Sequence, residues 1–330
     1  MQIKDIETLN KIISKIKSSK KSLVLSHQNP DGDTLGSMLA IGLILQEIGH
    51  KVDFVISDPV PEIFKFLPSS KFVKLPDDSS LMKDYDLAFS LDCGSVKRLG
   101  KAQELWKLAN ETINIDHHIS NERFAIFNLI EAEATSTGQV VHSVARELKH
   151  KISPELATLL YVTLLTDTGC FSNSNTNALA MEWASELIAL GADSGPVYRK
   201  VFLEKPFKTI KIFGTGLNNA TLIEDGKIIC TYVTQEEMSS LNATGEDTED
   251  IADYMMRVQH VNLGVFFRED KNETKVSLRS ACDLDVSKIA MELGGGGHKR
   301  AAGINIKSPL KDVKELVLKR VLEEYKKFKG

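Results

Sequence analysis

Few cysteines, no strong charge excess and no long apolar run narrow what this chain can be. Cys93, Cys170, Cys230 and Cys282 lie far apart and form no Cys-x-x-Cys pair. That spacing argues against a disulfide frame or a zinc knuckle and reads as reduced thiols. Net charge is −4, and no long basic stripe interrupts it. A protein that coats long nucleic acid usually has one or the other, so an anionic substrate would need local positive charge. The longest apolar stretch, Leu35 to Leu45, is about half a membrane span and is broken by Gly36, Ser37 and Gly42. The start, Met-Gln-Ile-Lys-Asp, has no apolar signal core. A cytoplasmic protein without a membrane partner is therefore expected. No internal repeat or low-complexity tract is present.

What the chain does have is room and pattern. Its 330 residues suggest two domains, each with a sizeable core. Helical apolar spacing covers residues 3–19, and an apolar strand follows at 21–26. Then His27-Gln-Asn-Pro-Asp-Gly-Asp33 turns into a helical stretch that ends at Gly49. Further strands are expected at 51–56, 86–91 and 111–115, with a helix near 100–109 and others at 135–149, 153–166 and 177–190. Strands alternating with helices imply βαβ units and a parallel sheet. The pattern loosens around Gly195-Pro196 and Lys205-Pro206. This divides the chain into a domain at 1–192, a linker at 193–215 and a domain at 216–330. The last part reads as α+β with a mixed sheet: a hairpin about Asp225-Gly226, a helix at 247–258, strands at 261–268 and 274–280, a helix at 285–293, a short strand at 304–306 and a final helix at 309–328.

Three times an apolar strand runs straight into Asp or His: at His27, Asp31 and Asp33, at Asp92, and at Asp116, His117 and His118. Parallel strands bring their C-terminal ends to one edge, where ligands bind in open α/β sheets. Asp167 ends a helix that is apolar on most sides. A lone buried carboxylate is costly, so it needs a partner. Taken alone, the first turn could be no more than a helix cap, with Asp33 as the capping residue. Together, four carboxylates and up to three imidazoles cannot crowd at one point unaided. Two divalent cations resolve the repulsion. Oxygen and imidazole ligands without thiolate suit manganese, with cobalt, zinc and magnesium as alternatives. Two such ions about 3.5–4 Å apart are the arrangement used to hydrolyse phosphate esters.

A second candidate is Gly294-Gly295-Gly296-Gly297-His298-Lys299-Arg300. It follows a helix and lacks Gly-Lys-Ser/Thr, so it is not a P-loop. One glycine would cap the helix. Four expose backbone N–H groups and let a ligand come close. With His298, Arg300 and Arg279 nearby, an anion pocket is expected. His50, His142, His150 and His260 read as structural or solvated, Trp106 and Trp183 as core, and the lysines of the last helix as a solvated face.

These blocks, in this order over nearly the whole chain, resemble the DHH–DHHA1 phosphoesterases, and within them the stand-alone nanoRNase/pAp-phosphatase group. The resemblance implies a parallel-sheet DHH domain, a smaller mixed-sheet DHHA1 domain and a cleft between them. It implies one metal on His27, Asp31, Asp92 and Asp167, another on Asp33, Asp92, His117 and Asp167, and Asp92 and Asp167 bridging. His118 would act at the substrate phosphate or leaving oxygen, with Asp116 orienting an imidazole. Arg279, Ser280, Gly295, Gly296, Gly297 and His298 would hold the far nucleotide, and Arg98 would touch substrate. The implied activity is manganese-dependent hydrolysis of short oligoribonucleotides, including pApA, to nucleoside 5′-monophosphates, with removal of the 3′-phosphate of pAp. A homodimer is also implied. Rival readings are a cyclic di-AMP phosphodiesterase, a RecJ-like exonuclease, an inorganic pyrophosphatase and a non-catalytic nucleotide-binding regulator. Cys93 stands where a small hydroxyl or apolar residue is more usual, and the sequence offers no functional account of it.

Overall fold

The computed structural model of the chain describes residues 3–329. Compact packing divides it between Glu204 and Lys205. In the first unit the strands are β1 (Lys21–Ser26), β2 (Lys51–Val55), β3 (Val73–Lys74), β4 (Tyr85–Leu91), β5 (Ala109–Asp116) and β6 (Phe127–Ile130). Among the described residues they form one parallel sheet in the order β3-β2-β1-β4-β5-β6. The helices are α1 (Ile6–Ser18), α2 (Gly32–Glu47), α3 (Gln103–Trp106), α4 (Thr137–Glu147), α5 (Pro154–Asp167), α6 (Ala178–Ala189) and α7 (Ser194–Tyr198).

Strand alternation explains the two cores. Val24 points into a large cluster with α1, α2, α4, α5 and α6, while Leu23 and Leu25 point to the other face with Val55, Tyr85, Leu99 and Trp106. Helices α2 and α5 are apolar nearly all round because they lie inside the helical layer. They approach closely: a methyl group at Gly36 would stand 2.5 Å from Thr163 Cγ2 and 2.8 Å from the Leu159 carbonyl oxygen. Gly36 therefore sets the spacing of the two helices, while Gly42 makes room for the Phe54 ring of β2.

The second unit contains β7 (Thr221–Ile223), β8 (Ile228–Val233), β9 (Leu263–Glu269), β10 (Thr274–Ser280), β11 (Gly296–His298) and β12 (Ala301–Ile306). Their order is β11-β12-β10-β9-β8-β7; β8 and β9 are parallel and the other pairs antiparallel. The helices are α8 (Phe207–Asn218), α9 (Gln235–Ser240), α10 (Glu249–Met255), α11 (Val286–Glu292) and α12 (Leu310–Lys329). One sheet face is covered by α11 and α12, with Val265, Phe267, Val276, Leu278 and Ile304 in the core. On the other face Ile212 of α8 and Ile251 and Met255 of α10 pack on Ile229, Val233 and Phe266.

Several expectations need correction. The helix expected near 100–109 is a 3₁₀ turn, Val96–Ala102, followed by four helical residues, because Gly100 has φ +56° and breaks the run. The segment 193–215 is helical for most of its length, through α7, a wide turn at Arg199–Leu203 and the start of α8. The glycine run does not stay a loop: Gly296–His298 pairs with β12 as an edge strand. β6 and α9 lacked a strong enough sequence signal to be expected.

Candidate metal centre

In the strand order, β1 has β2 on one side and β4 on the other. That reversal is the topological switch point, where a crevice opens at the C-terminal strand ends. His27 follows β1, Asp92 follows β4, and Asp116 to His118 close β5. Three helix termini converge there as well: the first turns of α2 and α4 and the last turn of α5. Gly32, Gly36 and Gly138 permit that convergence, since a methyl group at each would press into Thr166 or Thr163 of α5.

Asp31, not Asp33, caps α2, its carboxylate accepting from Thr34 N at 2.9 Å. Asp33 is buried and accepts from Thr137 N at 2.7 Å, Gly138 N at 3.1 Å and Ser37 Oγ at 2.9 Å. It thus receives the N-terminal donors of α4. Asp92 accepts from Thr34 Oγ1 at 2.9 Å on one oxygen and Thr137 Oγ1 at 3.0 Å on the other. Thr34 and Thr137 are site residues that sequence reasoning missed, because a threonine in a first helical turn looks like ordinary helix-start chemistry.

The imidazoles are aimed. His27 Nδ1 lies 2.7 Å from the Gln28 carbonyl and His117 Nδ1 lies 3.2 Å from that of Ala134. A carbonyl only accepts, so both Nδ1 atoms carry the proton and both Nε2 lone pairs face the carboxylates. His27 Nε2 is 3.6 Å from Asp92; His117 Nε2 is 3.7 Å from Asp33, 3.8 Å from Asp92 and 3.5 Å from Asp167. Three overlapping donor sets share this volume: His27, Asp31 and Asp92; Asp33, His117 and Asp167; and Asp92, His117 and His118, with ligand atoms within 4.8 Å in each set.

These residues fit divalent cations on physical grounds. Burial, then the charges of Asp92 and Asp167, push Asp33 well above the ordinary carboxylate range. Burial raises Asp167 to about 6, partly opposed by His117. Burial pushes Asp92 upward too, but the neighbouring imidazoles of His27, His117 and His118 outweigh this and hold it low. Such crowding is what bound cations relieve. Thr34 Oγ1 also sits 2.6 Å from His27 Nε2 as well as beside Asp92. One hydroxyl proton cannot satisfy both acceptors, and a cation on His27 would remove the conflict.

Asp116 plays a different part. Its Oδ1 accepts from the backbone of His117 at 2.7 Å and of His118 at 3.2 Å, and from His118 Nδ1 at 2.7 Å. Asn121 Nδ2 donates to the other oxygen at 2.6 Å. The Asp116 bond raises His118 to about 9 despite partial burial. His118 Nδ1 also lies 3.6 Å from Asp92. Arg98 stands in the turn after β4, and its carbonyl accepts from Gln28 N at 2.8 Å, joining the two site loops. Cys93 is a buried apolar filler, its thiol bonded to the Ser95 carbonyl at 3.1 Å and pushed by burial to about 11.

The remaining candidates belong to the second unit. Arg279 is clamped by Asp253, with Nε–Oδ1 at 2.6 Å and a second bond at 3.0 Å. Ser280 Oγ donates to the Cys282 carbonyl at 2.9 Å and faces inward. Gly294 ends α11 at φ +80°, while Gly295 and Gly297 are pressed against the β12 backbone: methyl groups there would stand 2.2 Å from the Gly303 oxygen and 2.5 Å from Ala302 Cα. Those three glycines have structural reasons. Gly296 and His298 are exposed. Among the other histidines, His50 bridges Ser22 and the Ile16 carbonyl, and His142 accepts from Trp183. Lys314 of α12 is not merely solvated; its ammonium lies over the Tyr232 ring at 4.1 Å.

Comparison with known proteins places this geometry in a family. The family model "DHH family, N-terminal domain" matches residues 21–164 and the "DHHA1 domain" model matches residues 225–327. A bifunctional oligoribonuclease and PAP phosphatase NrnA of Thermus thermophilus is 29% identical over 307 residues, covering 91% of this chain and 89% of the relative. The protein of that name from Bacillus subtilis is 23% identical, covering 86% and 88%. The crystal structure of an exopolyphosphatase-related protein from Bacteroides fragilis superposes with a TM-score of 0.84 at 26% identity, over 98% of this chain and 97% of that one. With both domains matched in order and the strand-end cluster between α2, α4 and α5, the chain belongs to the DHH–DHHA1 family and is a hydrolase of phosphoester bonds.

Proposed function

We propose that this chain is a manganese-dependent phosphodiesterase that cuts short oligoribonucleotides, pApA among them, to nucleoside 5′-monophosphates and removes the 3′-phosphate of pAp. The observation that carries the reading is the pair of imidazoles, His27 and His117, turned with Nε2 toward Asp33, Asp92 and Asp167. The relatives named as oligoribonuclease and PAP phosphatase support the substrate class. His27, Asp31, Asp33, Asp92, His117 and Asp167 would hold two divalent cations. Bound there, such ions supply Lewis acidity and a nucleophilic water at neutral pH.

The chain's own groups do the rest. Thr34 and Thr137 fix both oxygens of Asp92, so the carboxylate common to the His27 set and the His117–His118 set cannot rotate. Asp116 holds His118 by Nδ1, which leaves Nε2 as the atom that donates to a phosphate or leaving oxygen. Asn121 in turn holds Asp116. In the second unit Arg279, Ser280, Gly295, Gly296, Gly297 and His298 bind the part of the substrate away from the scissile bond.

The test is side-by-side hydrolysis of pApA, a five-residue RNA, a long single strand, pAp, cyclic di-AMP and pyrophosphate, with manganese and with chelator. Fast manganese-dependent cleavage of the short linear RNAs is expected, with release of phosphate from pAp. Preference for the long strand, the cyclic dinucleotide or pyrophosphate overturns the substrate assignment.

A further inference from the structure

The chain leaves α5 by a route that few side chains tolerate. Gly169, Cys170 and Phe171 have φ of +53°, +55° and +65° in succession. Left-handed backbone strains any residue with a Cβ and normally occurs at single positions. Here a run of three, two of them not glycine, begins two residues beyond Asp167. Strain of this kind persists only where the surroundings enforce it. Hydrogen bonds do so by folding the segment back onto the helix end. Cys170 N donates to the Leu165 carbonyl at 2.8 Å, and Ser172 N and Asn173 N donate to that of Thr168 at 2.9 Å each. Phe171 packs on the large core of the first unit. The return brings two amides to one carbonyl: Asn173 Nδ2 lies 3.1 Å and Asn175 Nδ2 3.2 Å from the Asp167 backbone oxygen. Asn177 then caps α6 through Ala180 N at 3.0 Å, so the segment is anchored at both ends.

Asn175 differs from Asn173 in what else it holds. Asn173 is exposed. Asn175 Nδ2 donates in addition to the Thr135 carbonyl at 3.3 Å. Both acceptors are carbonyls, so Nδ2 and not Oδ1 must face them. Oδ1 is thereby left buried with no hydrogen-bond partner among the described residues. An unpaired buried acceptor is costly, so the contribution of this amide lies in its two donors.

The peptide at Thr135 leads directly to three other candidate ligands. Thr135 N donates to Gln139 Oε1 at 2.9 Å, so side chains grip both of its backbone groups. The preceding carbonyl, that of Ala134, orients His117. Two residues on, Thr137 holds Asp33 through its N–H and Asp92 through its hydroxyl. Asp167 and this loop meet again across the site, where His117 Nε2 is 3.5 Å from Asp167 Oδ2.

We propose that Asn175 is a positioning residue of the metal centre: a staple between the C-terminus of α5 and the loop before α4 that sets Asp167 against His117, Asp33 and Asp92. The proposal rests on the cation-binding part of the functional reading and is independent of which phosphoester is cut. It also gives the left-handed turn a purpose, since that turn returns the chain within eight residues to the carbonyl it has just left.

The test is calorimetric binding of manganese to the full chain, wild type and Asn175→Leu, Asn175→Ala and Asn173→Ala, beside thermal midpoints with chelator. Leucine has nearly the shape of asparagine, removes both donors and removes the unpaired Oδ1. Asn175→Leu and Asn175→Ala are expected to weaken manganese by about 10–100-fold, while Asn173→Ala stays close to wild type. The midpoints report folding separately from metal affinity: an amide that only supports the loop would lower them and leave manganese binding unchanged. Wild-type manganese affinity in both Asn175 variants therefore overturns the staple, whatever their midpoints. So does a loss in Asn173→Ala as large as in Asn175→Leu, since the Asp167 carbonyl alone would then account for it. Tight binding by wild type with either of those outcomes sinks the staple and spares the metal centre. No binding by wild type sinks the metal centre, and the staple with it.

Discussion

Asp92 has φ +53°, in the left-handed region that side chains other than glycine's rarely enter. Its backbone N–H donates to the Ile115 carbonyl at 3.0 Å, which ties the end of β4 to β5 and holds the turn. That backbone, with a carboxylate fixed by two threonine hydroxyls, holds Asp92 in the orientation that the proposed metal role requires. Asp92→Ala is expected to bring turnover to background while leaving the protein folded, read by activity beside circular dichroism; undiminished activity would sink the site assignment. Asp116 acts one step removed. Asp116→Asn keeps the shape but weakens the hold on His118, so kcat is expected to fall about 10–100-fold with smaller change in the metal concentration needed for half-activity. A loss confined to metal affinity would instead make Asp116 a positioner of His117. The strand-end acids and histidines were legible in sequence because each cluster follows a local strand signal. Thr34, Thr137 and Asn121 were not, since their roles exist only once α2, α4 and the β5 loop meet. Arg279 was legible as a cation near the glycine run, but its clamp on Asp253 joins residues 26 positions apart and leaves no local mark.

Elements tell the same story through packing. The α2 run was readable as buried, yet the reason for Gly36 lies in α5, more than a hundred residues away, and the reason for Gly42 in the Phe54 ring of β2. Gly36→Ala places a methyl group against the fixed Leu159 carbonyl, so it is expected to destabilise the first unit by about 1–3 kcal/mol, seen as a lower thermal midpoint; an unchanged midpoint would show that α2 and α5 can part at little cost. Helix α8 was hidden because Lys205-Pro206 read as a break, whereas the proline sits just before the first helical residue, where it does no harm. The helix is pinned by Asp247, which receives Lys208 at 2.8 Å, the Thr209 hydroxyl and Thr244 N at 2.7 Å. Burial pushes that carboxyl up, but the bonds from Lys208, Thr209 and Thr244 outweigh it and hold it below the ordinary range. A depressed folded-state value means that Asp247 stabilises the fold above about pH 4 and that this contribution is lost as pH falls further. Asp247→Asn is expected to cost about 1–3 kcal/mol at neutral pH and to flatten the acid limb of a stability-against-pH curve. An acid limb as steep as wild type would assign the titration elsewhere.

At the scale of the whole molecule, the two units have separate cores. One centres on the helices packed on the parallel sheet, the other on α11 and α12 against the mixed sheet. All six candidate metal ligands belong to the first, together with the buried like charges that cations would neutralise. Cation binding therefore adds to the stability of that unit alone, by about 2.7 kcal/mol at a hundred times Kd. Two thermal transitions are expected in calorimetry with chelator present. Added manganese is expected to move one upward and leave the other, and Asp33→Asn, which removes one of the crowded charges, is expected to raise the chelator-state midpoint of that same transition while shrinking the manganese shift. If both transitions move together, the units unfold as one and the stabilisation is shared. If neither moves, the cluster does not hold cations in the folded chain, and the repulsion among Asp33, Asp92 and Asp167 must be relieved by protons instead, which would show as a midpoint that rises on acidification toward pH 6, the value near which Asp167 takes up its proton.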